Sequence, residues 1–376
     1  MVEWKTIGDI VKRNKGIPIT AGQMSELNSP DGNIRVFAAG QTIADIDEAN
    51  LPKGCAHKKP SIIVKSRGYI DFEFYDKPFT HKNEMWSYSF DDFEICKFIY
   101  YYLTTKTEEF RKKARANSVK LPQLCVADTD NYIIPIPSLE EQNRIVGILD
   151  TFTDSIENLK QQIAQRRKQF EFYRDQLLDL EGKSNEDIKM FGDYCTMIKG
   201  NGVQKTDFVD IGIGCIHYGQ IYTHYGSFTY TTNKFVSKEV FEKARKASKG
   251  DIIMTDTSEN VEDICKSVAY LGEDNIAVSN HALIIKHEQN PKFLSYSTQT
   301  NSFFKQKQKC AYGVKVTGIK PEHLAKFRIY LPSLSEQQRI VSILDTFEAC
   351  ISNLEAQLAQ RQKQYEYYRN QLLTFE

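Results

Sequence analysis

Two segments of this chain, 137–178 and 332–373, are copies of one another at a constant offset of 195 residues. The first reads PSLEEQNRIVGILDTF…QRRKQFEFYRDQLL and the second PSLSEQQRIVSILDTF…QRQKQYEYYRNQLL, with 28 identities over 42 aligned positions. In the first copy Ile145, Leu149, Phe152, Ile156, Leu159, Ile163, Phe170, Tyr173, Leu177 and Leu180 follow in alternating steps of four and three, with Arg166 in the single gap. The second copy repeats this with Ile340, Leu344, Phe347, Ile351, Leu354, Leu358, Tyr365, Tyr368, Leu372 and Phe375, and Arg361 fills its gap. A 3.5-residue period held for about five heptads predicts a long helix with a coiled-coil seam. A surface helix on a globular core imitates such a pattern over a heptad or two, rarely over this length twice.

Pro137 and Pro332 precede the helices, Ser138 or Ser333 serves as N-cap, and Glu141 or Glu336 completes a capping box. At ~1.5 Å per residue, about 40 residues give a rod of ~60 Å. A rod with its apolar stripe in water is not stable alone. The other copy is the nearest matching partner, and pairing between molecules is the alternative. Arg166 and Arg361 read first as snorkelling side chains at an irregular point of the seam, and second as register-fixing residues.

A chain of 376 residues supports two cores. No run of 18 apolar residues occurs and MVEWKTIGDIVKR has no signal-peptide core, so a cytoplasmic protein without membrane contact is expected. The eight cysteines form no CxxC, which predicts isolated thiols in a reducing compartment. Zero net charge argues against a uniformly basic nucleic-acid coat but permits local basic faces.

Each copy closes a larger block, and the boundaries expected are 1–136, helix 137–181, linker 182–186 (within EGKSNED), 187–331 and helix 332–376. The blocks share a faint skeleton. WKTIGDIVKRNKG at 4–16 parallels IKMFGDYCTMIKG at 188–200, PSIIVKSRG at 60–68 parallels GDIIMTDTS at 250–258, and NSVKLPQL at 117–124 parallels YGVKVTGI at 312–319. IIVK and DIIM read as strands, AVSNHALIIKH as another, residues 93–114 as one helix and 236–248 as a short amphipathic segment. The fold class expected is α+β with irregular chain between elements.

Residues 106–120 carry six basic and two acidic side chains, and 301–320 carry five basic and none acidic. These stretches occupy corresponding places. Arg111, Lys112, Lys113, Arg115 and Lys120 in the first, and Lys305, Lys307, Lys309 and Lys315 in the second, are the candidates for phosphate contact. Polar loops near Asn201, Gln204 and His217 are candidates to approach base edges. The bland alternative for a Lys-rich helix face is simple solvation, and the aromatics Phe303, Phe304 and Tyr312 read first as packing residues.

Catalytic motifs are missing. GIGCIH at 212–217 lacks the third glycine of a dinucleotide loop, and there is no GxxxxGK[ST], HExxH, GxSxG, or NPPY-like segment. Asp71 and Glu73 are paired acids without a supporting metal-site pattern.

With its duplicated IPIPSLEEQNRIVGILD (134–150) and LPSLSEQQRIVSILD (331–345), its IGD at 7–9 and FGD at 191–193, and its block–helix–block–helix order, the chain resembles the specificity subunit of type I restriction–modification systems along essentially its whole length. The resemblance implies two mixed α/β target recognition domains, 1–136 and 187–331, separated by a long antiparallel two-helix coiled coil with an internal pseudo-twofold repeat. Each domain would read one half of a split, asymmetric target in double-stranded DNA, with helix length setting the spacer. It also implies two methyltransferase subunits and restriction subunits as partners. S-adenosylmethionine and ATP/Mg would be used there, with no cofactor and no reaction in this chain. The rival reading is a coiled-coil scaffold whose two domains bind proteins. A weaker third is an unusual nuclease using Asp71 or Glu73.

Overall fold

The computed structural model describes residues 2–118, 120–313 and 317–375. Its chain divides into two compact units, one of residues 1–160 with 356–376 and one of residues 161–355. The division cuts both long helices, Leu139–Leu178 and Leu334–Leu372, so each unit holds one recognition block and a piece of each helix.

In the first unit a four-stranded antiparallel sheet runs in the order Arg13–Asn14, Trp86–Ser89, Ser61–Lys65, Asp71–Tyr75. A three-stranded sheet carries Ile34–Phe37 between Ile43–Ile46 and Phe79–His81, the last pairing parallel. The Phe93–Thr105 helix buries Phe98, Ile99 and Leu103 in one cluster with Ile62, Val64 and Tyr88. Residues 93–114 do not form the single helix expected. The helix ends at Lys106 (φ −103°, ψ 2°) and a second runs Thr107–Asn117. The hydroxyls of Thr104, Thr105 and Thr107 donate back to the carbonyls of Tyr101, Tyr102 and Thr104, and such local bonding competes with the helical ladder.

In the second unit one five-stranded sheet has the order Cys195–Lys199, Ala282–His287, Ile252–Thr255, Ser267–Tyr270, Phe228–Thr229. Another has the order Phe208–Val209, Lys234–Val236, Ile213–Ile216, Ile276–Val278, Arg245–Ala247. The run AVSNHALIIKH therefore makes two strands of different sheets, not one. The chain turns between them at His281, whose φ is +65°. Likewise 236–248 splits into a helix, Lys238–Lys243, and the strand Arg245–Ala247.

The two stripes pair antiparallel within each unit. In the first, Phe152 stacks on Tyr368 at 5.3 Å, while Ile145 and Leu149 share a core cluster with Leu372 and Leu373. In the second, Tyr173 stacks on Phe347 at 5.3 Å, Leu177 and Leu178 share a cluster with Ile340 and Val341, and Arg167 forms a salt bridge with Glu355. The ring stack and the apolar contacts map onto their partners through the 195-residue offset, whereas the Arg167–Glu355 bridge does not, because Gln362 and Lys160 stand at the matching positions.

The stripe does more than line a seam. Ile145, Leu149, Ile340 and Leu344 are fully buried in the cores of the recognition blocks, and Phe170 and Tyr365 pack against those cores. Toward the middle, Ile156, Leu159, Ile351, Leu354 and Leu358 are half-buried, and Ile163 is buried. Arg166 and Arg361 donate to Gln169 and Gln364, and the Arg361 guanidinium lies 5.7 Å from the Phe152 ring. That is the snorkelling arrangement with an aromatic floor.

The caps differ from the box expected. Ser138 and Ser333 accept from the N–H of Glu141 and Glu336, both at 3.4 Å. The two glutamates are taken by bidentate bonds from Arg144 and Arg339, which hold both carboxyls below their usual pKa range. The Gln142 and Gln337 amides turn back onto the Pro137 and Pro332 carbonyls instead.

Candidate nucleic-acid interface

In each unit the recognition block is tied to its long helix by the same three groups. Lys97 Nζ and Tyr101 Oη donate to the two carboxylate oxygens of Asp150, at 2.7 and 2.5 Å. Lys292 Nζ and Tyr296 Oη do the same to Asp345, both at 2.8 Å. All three pairs obey the 195-residue offset. Burial pushes both phenols well above their usual range, with hydrogen bonds to the carboxylates in support. These ties fasten one helix of each block, Phe93–Thr105 in the first and Pro291–Ser297 in the second, to its long helix, although the sheets of the two blocks differ in strand number.

In the first unit the basic helix Thr107–Asn117 presents Lys112 and Arg115 to solvent, with Lys120 exposed beyond it. No salt bridge forms to these three among the described residues. Arg111 and Lys113 are already engaged. Arg111 Nε donates to the Ile70 carbonyl at 3.1 Å and Nη1 to Glu108 at 2.5 Å, while Lys113 Nζ lies 3.3 Å from Asp128.

In the second unit the helix Asn301–Cys310 exposes Lys305 and Lys309 but buries Lys307. Lys307 lies four residues after buried Phe303, on the same inward face. Its Nζ donates to the carbonyls of Glu262 and Ile264, at 2.7 and 2.9 Å, and burial pushes its pKa down. Lys307 is therefore a structural cation, and its expected phosphate contact is withdrawn. Lys315 lies outside the described residues.

His217 is also corrected. It is buried and caps the Tyr218–Thr223 helix, with Nδ1 accepting the Gly219 N–H at 3.2 Å; burial lowers its pKa. Asn201 is exposed, but its Oδ1 accepts the Arg245 N–H at 2.7 Å and so braces a loop. Gln204 is exposed at the start of the Lys205–Asp207 turn, where its N–H donates to Asp207 at 2.7 Å.

Asn201 leads to a group that motif searching missed: Lys199, Arg245, Asp256 and His281. Lys199 Nζ lies 3.0 Å from Asp256 Oδ2, His281 Nδ1 lies 3.9 Å from Asp256 Oδ1, and Arg245 Nη1 donates to the Lys199 carbonyl at 3.0 Å. Next to Lys199, a Cβ on Gly200 would stand 2.3 Å from the Ser279 carbonyl oxygen. Gly16 makes the same approach in the first unit, 2.4 Å from the Lys82 oxygen, so both matched glycines are needed for close crossing of two chains. The matched glycines were the one sequence signal pointing here.

Glu73 is paired with Lys65 at 2.6 Å, and the Asp71 carboxylate accepts the Phe72 N–H. Among the described residues no group of three or more His, Cys, Asp or Glu is placed to hold a metal ion, and no helix is long and apolar enough to cross a membrane. All eight cysteines are free thiols.

The sequence matches the family described as type I restriction modification DNA specificity domain, over residues 1–166 and 203–361. The chain belongs to this family. Specificity-subunit relatives span its whole length. It is 27% identical over 401 residues to the specificity subunit of the type I restriction enzyme EcoR124I/EcoR124II from Escherichia coli, covering 100% of this chain and 94% of that one. Solved structures share the fold. The S subunit from M. genitalium superposes with a TM-score of 0.61 at 16% identity, covering 100% of this chain and 97% of that one. A chain solved in work on assembly and conformational transition of the type I R-M system gives 0.55 at 14% identity, covering 99% and 96%. Specificity-domain membership gives the duplicated block-and-helix layout its meaning: two recognition domains on one helical support.

Proposed function

We propose that this chain is the noncatalytic subunit that gives a type I restriction–modification assembly its DNA specificity. It reads a bipartite, asymmetric target and docks methyltransferase and restriction subunits. The observation that carries this is the pair of matched Lys–Tyr–Asp ties, which fix two blocks of one scaffold but unlike surfaces to two copies of one helix. Equivalent supports with unlike readers suit a target with unequal halves.

Two methyltransferase subunits fit the same symmetry. Phe172 and Tyr367 occupy equivalent positions on the long helices and are 62% and 61% exposed, so one partner surface has two matching aromatic seats. S-adenosylmethionine and ATP/Mg belong to the partner subunits, and the assembly works in the cytoplasm. Methyl transfer and DNA cleavage are likewise assigned to those subunits, leaving this chain binding alone.

The test is to co-purify the chain with its methyltransferase subunits and measure binding to a library of duplexes. Enrichment of one split sequence by the complex supports the proposal. A complex that binds all duplexes alike, while the chain captures protein partners, supports the scaffold reading instead.

A further inference from the structure

Strands Ile252–Thr255 and Ala282–His287 pair with Thr255 opposite Ala282, which sets Asp256 opposite His281 one step on. The Asp256 N–H donates to the His281 carbonyl at 3.2 Å. His281 holds a left-handed backbone, uncommon for a residue with a Cβ. The Asp256 side chain is only 6% exposed, whereas Lys199 and His281 are 60% and 52% exposed. Asp256 Oδ1 is buried without a hydrogen-bond partner, and His281 Nδ1 at 3.9 Å is too distant to supply one. Leaving a buried carboxylate oxygen unmet is costly, so folding alone does not explain this residue.

The same place in the first unit carries other chemistry. Val64 pairs with Trp86, which sets Ser66 opposite Glu84 two steps on, and the Ser66 hydroxyl bonds the Glu84 carbonyl. The frames match: Leu124 N–H donates to the Ser66 carbonyl at 2.8 Å, and Ile319 N–H to the Asp256 carbonyl at 3.0 Å. Lys15 and Lys199 precede the two close-crossing glycines. One scaffold position thus holds Ser–Glu in one domain and Asp–His in the other.

Resting on the DNA-specificity reading above, we propose that Lys199 reads a guanine in the half-site of the second domain, with Asp256 as its positioning residue. An ammonium has three N–H donors. Lys199 Nζ lies 3.0 Å from Asp256 Oδ2, an ion pair that holds the ammonium in place while N–H donors remain for the adjacent N7 and O6 acceptors of guanine in the major groove. Adenine would set its N6 amino group against a donor. The carboxylate 3.0 Å away offsets the ammonium's own charge, which favours a base edge over a phosphate as the partner of Nζ. His281 Nδ1 lies 3.9 Å from the other oxygen of the same carboxylate.

The experiment uses the full chain with its methyltransferase subunits, after the target has been read from methylation. Binding is measured for wild type, Lys199→Met and Asp256→Asn on duplexes in which each target guanine in turn is replaced by 7-deazaguanine or adenine. Lys199→Met is expected to weaken cognate binding by about 5- to 150-fold and to become indifferent to replacement at one guanine only. Asp256→Asn should relax the same position. An even loss on all duplexes with a reduced salt slope would make Lys199 a phosphate contact and overturn the proposal, as would unchanged base preference in Lys199→Met. Lys199 is on the surface, so that variant stays interpretable if Asp256→Asn misfolds. A wild-type complex without any sequence preference would instead overturn the parent reading.

Discussion

Replacing Asp150 with alanine removes the acceptor from two donors at once. Tyr101 is 3% exposed and the Lys97 side chain 20%, so neither is freely rehydrated in place. An unsatisfied buried donor costs about 1–3 kcal/mol, and more for a charge. The Asp150 side chain is itself 26% exposed, so water offsets part of this, and the expected loss is about 2–3 kcal/mol. Both tryptophans lie in the first unit, and Trp86 is buried in the cluster that contains Ile145 and Leu149, with Nε1 donating to Thr129 at 2.9 Å. Tryptophan fluorescence during urea unfolding therefore reports the unit in which Asp150 sits. A double-mutant cycle with Tyr101→Phe should give a coupling of about 1 kcal/mol. Asp345→Ala should produce a similar loss in the tryptophan-free unit, followed by far-UV circular dichroism. Additive effects of Asp150→Ala and Tyr101→Phe, with no coupling beyond error, would refute the tie between block and helix.

The lysines of the 301–310 helix should separate by role. Lys305→Ala with Lys309→Ala is expected to lower the salt slope of DNA binding by about two with little change in stability, whereas Lys307→Met should destabilise the domain and leave the slope alone. A lower salt slope in Lys307→Met would reverse that assignment. His81 is fully buried and its imidazole is pushed down to about 4 from 6.5. The unfolded chain takes up that proton first, so stability should fall as pH drops from about 6.5 toward 4, by up to about 3 kcal/mol. The His81→Gln variant should show a shallower fall by tryptophan-monitored urea unfolding, and identical slopes would contradict the assignment. Deleting one heptad from each long helix removes ~10.5 Å of rise, about three base pairs of duplex. Methylation mapping should find the tolerated spacer changed by that much, and an unchanged spacer would mean that the helices do not set it.

The long helices were legible because a 3.5-residue period repeated over about five heptads has few other solutions. Pattern alone did not reveal that both ends of each stripe enter the recognition cores, since Ile145 and Ile340 look the same in a seam as in a core. The Lys–Tyr–Asp tie was present in the text as KFIYY at 97–101 and KFLSY at 292–296, at the same offset as the helices. It went unread because two short matches carry no chemistry until Asp150 and Asp345 are brought to them. The burial of Lys307 was accessible from its spacing to Phe303, but its charge outweighed its helical face. Asp256 and His281 could not be paired from sequence, because strand register, not proximity along the chain, sets them opposite each other.

The most direct measurement maps adenine methylation across a genome lacking other methylation, with this chain expressed beside its methyltransferase subunits. Two unlike readers on twin supports predict one split motif whose two defined parts differ and are separated by a fixed run of unspecified bases. A continuous motif, two identical half-sites, or methylation scattered without sequence preference would contradict it.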